Sequence, residues 1–190
     1  MSSIGRRAFA RILLLGSGLV FAAACGNDVP TATKAPEKPR AVLSIDPNAW
    51  YVIRNAASYK VMDVSNAGCC NGAWIHQWDY EGLANQQWRI TDIGGGYYKI
   101  VARHSGRALD VESASTSDGA RIHQWTYGGL ANQQWTFVAG IYGYAIIARH
   151  SGKAAVLTAG DVYANGLGVR QYPYGGSSYS TQQWLLEKVQ

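Results

Sequence analysis

Leu83-Ala84-Asn85-Gln86-Gln87-Trp88 decides the fold, because the same six residues return unchanged at Leu130 to Trp135. A third and shorter copy, Gln182-Gln183-Trp184, follows, so the Gln-x-Trp triplets stand 47 and 49 residues apart. The likeness spreads outward from each triplet. Ile75-His76-Gln77-Trp78 recurs as Ile122-His123-Gln124-Trp125, and Ala102-Arg103-His104-Ser105-Gly106 as Ala148 to Gly152. A period of this size marks structural units that cannot bury an apolar face alone and share one core instead.

Within each unit the period is two. Trp50-Tyr51-Val52-Ile53-Arg54, Tyr98-Lys99-Ile100-Val101 and Tyr144-Ala145-Ile146-Ile147 are β-branched and aromatic runs bounded by turn residues. No window carries an amphipathic helical stripe. Four such runs per unit predict an all-β fold of about twelve short strands with internal threefold symmetry. The repeats fall at about 48–91, 96–138 and 141–190. Trp88, Trp135 and Trp184 recur with that symmetry and are expected in the core, where each buries ~150–250 Å². Gln86, Gln133 and Gln182 are expected to satisfy backbone groups of the turns before them.

The 190 residues are 47% hydrophobic and 12% aromatic, which excludes a disordered chain. Only 15% are charged, so polar work falls to amide and hydroxyl side chains. The net charge of +5 is unevenly placed: residues 1–25 hold three arginines and no acid. Residues 48–190 hold 11 basic and 9 acidic groups and nowhere two adjacent cations. That is not a phosphate-binding footprint, and no nucleic-acid partner is expected.

The leader reads as an export signal. Arg6-Arg7 precedes a 13-residue apolar run, Ile12 to Ala24, too short for the ~20 residues of a spanning helix. The paired arginines followed by Phe9 resemble a twin-arginine signal. Ala22-Ala23-Ala24-Cys25 resembles a lipobox, with Ala22 where that motif usually has Leu, Val or Ile. Two outcomes follow: lipid attachment at Cys25, or plain cleavage after Ala24. Residues 26–47 contain Pro30, Pro36, Pro39 and Pro47 and read as a semi-extended linker to a domain at 48–190.

Three in-register Gln-x-Trp triplets, each after a hydrophobic strand and an Asn/Gln-rich turn, resemble the ricin B-chain-like (R-type) lectin family. The resemblance covers about residues 48–190 and implies a β-trefoil that binds carbohydrate of the galactose or xylose type. In that family an Asp, an aromatic and an Asn hold the sugar. The matching residues are Asp63, Trp78 and Asn85 in repeat one, and Asp110, Trp125 and Asn132 in repeat two. His76 and His123 stand where the family often has Gln, and either ring nitrogen is a candidate to bond a hydroxyl. The steps between the four positions are 13, 2 and 7 in both repeats.

The chemistry fits those types. A flat aromatic covers the C–H face of a pyranose, and a carboxylate accepts from two adjacent hydroxyls at once. Asp63 and Asp110 alternate with apolar neighbours, which predicts outward, surface carboxylates. Repeat three has Val156, Arg170, Tyr172 and Thr181 instead. Losing an ionised acceptor is worth ~1.5–3 kcal/mol, decisive where a whole site is worth only ~4 kcal/mol. Repeat three is therefore expected to be scaffold.

Cys69 and Cys70 are adjacent, and either a strained vicinal disulfide or two free thiols would fit an exported loop. No metal-ligand spacing, phosphate loop or nucleophile motif is present, and no cofactor or catalytic residue is expected. The rival reading is a non-catalytic trefoil that binds protein or inhibits an enzyme at the cell envelope.

Overall fold

The computed structural model describes residues 43–189. The expected export signal, Cys25 and most of the expected linker lie outside the described residues. Twelve strands follow in order: β1 (Tyr51–Asn55), β2 (Val61–Val64), β3 (Ile75–Trp78), β4 (Trp88–Gly94), β5 (Tyr97–Ala102) and β6 (Ala108–Val111). Then come β7 (Ile122–Trp125), β8 (Trp135–Ala139), β9 (Tyr144–Ala148), β10 (Ala154–Leu157), β11 (Val169–Tyr172) and β12 (Trp184–Lys188).

All pairings are antiparallel. β1, β4, β5, β8, β9 and β12 form a closed ring, with β12 returning to β1 through Tyr51 opposite Lys188. Closure removes the edges that an open sheet would expose. The hairpins β2–β3, β6–β7 and β10–β11 stand off this barrel and meet one another through the bridges Trp74–His123, His76–Gly168 and Arg121–Arg170. A six-stranded barrel with three hairpins around its axis is a β-trefoil, as the repeats predict.

Trp88, Trp135 and Trp184 are wholly buried in one apolar cluster with Ile53, Ile90, Ile100 and Ile146. Their indoles donate to the carbonyls of Met62 (3.0 Å), Leu109 (3.0 Å) and Ala155 (2.9 Å), so each barrel tryptophan anchors the hairpin of its own repeat. Gln86 donates to Asp79 O and accepts from Glu81 N; Gln133 and Gln182 close the matching turns onto Thr126 with Gly128 and Pro173 with Gly175.

A second set of glutamines, in the strands β3, β7 and β11, ties the repeats to each other. Gln77, Gln124 and Gln171 are fully buried. Gln77 donates to Val162 O and Ala164 O, Gln124 to Gly68 O and Cys70 O, and Gln171 to Ser115 O and Ser117 O. Their side-chain oxygens accept from Ser58, Ser105 and Ser151. Each repeat thus holds the loop of the preceding one, and repeat one holds that of repeat three. A fully satisfied buried polar network of this kind specifies one arrangement.

The turn after β5 and that after β9 place Gly106 and Gly152 at φ 69° and 68°. The matching turn after β1 puts Tyr59 there, at φ 60°. A side chain in that region costs roughly 1–2 kcal/mol relative to glycine.

Candidate functional site

Period two sorts the short hairpin strands. Met62 with Val64, and Leu109 with Val111, turn into the core, so Asp63 and Asp110 face the other way. They do not reach open solvent, as a surface reading predicts: Asp63 is 4% exposed and Asp110 3%. The 3-10 turns Ser65–Ala67 and Ala84–Gln86 flank Asp63, and Glu112–Ala114 and Ala131–Gln133 flank Asp110. Each carboxylate therefore forms the floor of a cavity and not a surface acceptor.

Both carboxylates are held in the same way. Asp63 Oδ1 accepts from His76 Nε2 at 2.9 Å, and Oδ2 from Asn85 Nδ2 at 2.9 Å. Asp110 accepts from His123 Nε2 at 2.9 Å and from Asn132 Nδ2 at 3.1 Å. The second amide hydrogen of each Asn goes to the strand carbonyl of Val64 or Val111. Because the carboxylate only accepts, Nε2 of each His is the protonated nitrogen. Nε2 is thus not free for a ligand, contrary to the expectation that either ring nitrogen is. The ring's other task is to stack: His76 lies 5.4 Å from Trp78 at 25°, and His123 5.3 Å from Trp125 at 22°. Asp, His, Asn and Trp form one connected unit in each repeat.

The two cavities differ in size and rim. The first, about 220 Å³, is lined by Asp63, His76, Trp78 and Asn85 with Asn66, Glu81 and Leu83. The second, about 510 Å³, is lined by Asp110, His123, Trp125 and Asn132 with Gly72, Glu112 and Leu130. Glu81 accepts from the Trp78 indole at 3.2 Å and narrows the first cavity. Gly128 stands at the matching place in repeat two and leaves Trp125 44% exposed. Asn66 with Ala67, and Ser113 with Ala114, line the rims in left-handed backbone at φ 48° to 57°. Such strain persists where the surroundings over-determine it and is a known companion of ligand sites. A fixed acceptor with two lone-pair positions still open, beside a flat ring, suits a ring-shaped ligand with a hydroxyl edge.

In repeat three the ladder puts Val156 opposite Arg170 and Ala154 opposite Tyr172, the register of Asp63 with His76 and Val61 with Trp78. Val156 is buried against Ala145, Ile147 and Ala154, with Tyr174 packed on them. An apolar cluster occupies the place of the clamp.

Cys69 and Cys70 are both exposed thiols with sulfurs 3.5 Å apart, so the vicinal bond is not formed in the structure. The Cys69 thiol holds the Cys70 pKa above its ordinary value. Their loop docks on repeat two: Asn71 accepts from Thr126 N, and Gly72 N donates to Gln124 O. Among the described residues no group of His, Cys, Asp and Glu is placed to hold a metal ion.

The chain resembles ThreeFoil, a designed 3-fold symmetric protein, at 48% identity and TM-score 0.69, over 74% of this chain and 99% of that one. The profile of ricin-type beta-trefoil lectin domain-like proteins matches residues 42–125. The chain belongs to this ricin-type β-trefoil lectin-like family. Another similar structure is 1,3Gal43A, an exo-beta-1,3-galactanase from Clostridium thermocellum, at 37% identity and TM-score 0.70, over 77% of this chain and 31% of that one. The Rhizoctonia solani agglutinin shares the trefoil at 21% identity and TM-score 0.69, over 78% of this chain and all of that one. Comparison with curated protein sequences gave no match.

Within this ricin-type trefoil, sequence reasoning missed Leu83 and Leu130, which rim the two cavities at 50% and 61% exposure. Their signal was in plain view, since both open the repeated hexapeptide, but an apolar residue there reads as core by default.

Proposed function

We propose that the protein is a lectin that holds sugars in two shallow sites, Asp63-His76-Trp78-Asn85 and Asp110-His123-Trp125-Asn132, and performs no chemical step on them. One observation carries this: each cavity sets a buried carboxylate, fixed by two donors, beside an indole stacked on one of those donors. The carboxylate reads a pair of hydroxyls and the indole covers the apolar ring face. His and Asn position the acceptor. The resemblance to a galactanase favours galactose-type glycans, with xylose-type glycans as the second class. Two sites on one body suit a polymer, since the second contact becomes intramolecular.

Residues 1–25 act in this reading as an export signal and residues 26–47 as a stalk for the domain at 48–190, with Cys25 carrying a lipid. Replacing Arg6→Lys and Arg7→Lys together should stop export, and Cys25→Ser should release the protein from the membrane fraction. Wild-type protein found wholly in the medium would leave plain secretion.

Binding is tested by tryptophan fluorescence and calorimetry of the full-length chain with galactose, xylose and xylan, beside a glycan array. Saturable binding of a sugar, lost when Asp63 and Asp110 are both changed to Asn, is the expected result. Absence of any glycan binding would favour the protein-binding alternative.

A further inference from the structure

The three hairpins meet at a third cavity, of about 140 Å³, on the pseudo-threefold axis. Its walls include Trp74, His76, Arg121, Thr158, Gly168 and Arg170. Strict symmetry would put one residue type at the three axial positions before β3, β7 and β11. The chain has Trp74, Arg121 and Gly168 there. The ring is large, the guanidinium is charged, and the glycine leaves the third side open.

Charge at this place is one-sided. Arg121 and Arg170 line the cavity and no carboxylate does. The Asp63 carboxylate lines the first cavity and not this one, and each of its oxygens already accepts one hydrogen bond, from His76 or from Asn85. Arg170 is tied to Gly119 O at 2.8 Å. Arg121 is different: among the described residues its guanidinium makes no hydrogen bond or ion pair, and lies 3.8 Å over the Trp74 ring, itself 50% exposed. Arg54, Arg103, Arg107 and Arg149 are tied down, by Glu187, Gln87, Asn71 and Gln134; Arg89 also lies over an indole, that of Trp50, but it does not line this cavity. A planar fork held flat by an indole, with its donors unused, is pre-organised for a bidentate acceptor.

The axial cavity also shares a wall with the first sugar site, because His76 lines both. We infer that the axial cavity is a subsite for an acidic sugar, a uronate whose carboxylate is taken by Arg121 while the neighbouring unit of the same glycan occupies the Asp63 site. This rests on the lectin reading of the Asp63 site and adds the class of glycan: an acidic polysaccharide in which a uronate adjoins a neutral unit. Repeat two has no such extension among its cavity residues, which include no arginine.

The test compares galactose, a neutral galactobiose and a glucuronyl-galactose disaccharide by calorimetry on the full-length chain. The acidic disaccharide should bind about ten-fold more tightly than the neutral one, the size of a charge-assisted bond. That preference should shrink as NaCl is raised. Arg121→Ala should remove it and leave galactose binding unchanged, and Arg121→Lys should restore part of it, since the charge returns without the fork. Equal binding of the two disaccharides, or a preference that survives Arg121→Ala, would overturn the subsite. If galactose fails to bind while glucuronate binds in an Arg121-dependent way, the subsite stands and the reading of the Asp63 site falls.

Discussion

Truncating Asp63 tests the clamp and its ligand role separately, provided two substitutions are compared. Asp63→Ala removes the acceptor of two donors, His76 Nε2 and Asn85 Nδ2, both at 2.9 Å, from a position only 4% exposed. Hydrogen bonds to a charged group are worth about 1.5–3 kcal/mol each, and some of that returns as water enters the cavity. A net loss of about 3 kcal/mol is expected, which lowers Tm by roughly 6–12 °C for a domain of this size. Asp63→Asn behaves otherwise. Its carbonyl accepts from Asn85, and its amide donates to His76 Nε2 once that ring moves its proton to Nδ1. Stability should then fall by no more than about 1 kcal/mol, while the charged acceptor for sugar hydroxyls is gone. Differential scanning calorimetry and sugar titration of both variants give the answer. An unchanged Tm in Asp63→Ala would refute the buried clamp, and unchanged sugar binding in Asp63→Asn, made together with Asp110→Asn, would refute the ligand role.

Tyr59→Gly should raise stability by about 1 kcal/mol, because both hydrogen bonds at that residue use its backbone and glycine adopts its φ of 60° freely; thermal melts check this. Val156→Ala should cost about 1–2 kcal/mol in chemical denaturation and leave sugar binding untouched, since Val156 packs with Ala145, Ile147 and Ala154. Acidification should loosen the junction of repeats one and three: hydrogen bonds from Lys60, then from Asn165, hold the Asp79 pKa below its ordinary 3.8. The folded value is depressed, so this contribution is present above about pH 4 and disappears as pH falls through the folded value. Carboxyl NMR shifts of Asp79 followed from pH 5 to 2 should show the late titration, and Lys60→Met should move it part of the way back towards the ordinary value, the Asn165 hydrogen bond remaining.

What the sequence made legible follows from symmetry. Three triplets and period-two runs specify barrel strands and hairpins, and the wholly buried Trp88, Trp135 and Trp184 repay that reading. The site residues came from a fourfold match between two repeats and its failure in the third. Their burial did not, because alternation tells which face of β2 carries Asp63 but not that two 3-10 turns roof that face. The inter-repeat role of Gln77, Gln124 and Gln171 was hidden for a related reason: the residues repeat visibly, but their acceptors are backbone carbonyls with no sequence signature. Trp74 and Arg121 lay beyond a symmetry-based search, since their positions are informative through being unlike.

The ring of glutamine contacts bears on how the chain is made. Gln77 near the start of the domain waits for carbonyls at Val162 and Ala164, and β1 waits for β12. During synthesis the first repeat emerges with both of its docking partners unmade, so the domain has no N-terminal portion that can mature early. β1 meets β2 and β4 early, through one residue pair each, but nearly the whole chain must be out before it gains its long ladder with β12, and until then that strand edge is exposed to other nascent chains. The same geometry makes the natural break between β12 and β1 one of three nearly equivalent places to open the circle. A permuted gene that starts at Tyr97 and joins the old ends with a short linker would rebuild every one of these contacts, and would shift which repeat has to wait longest.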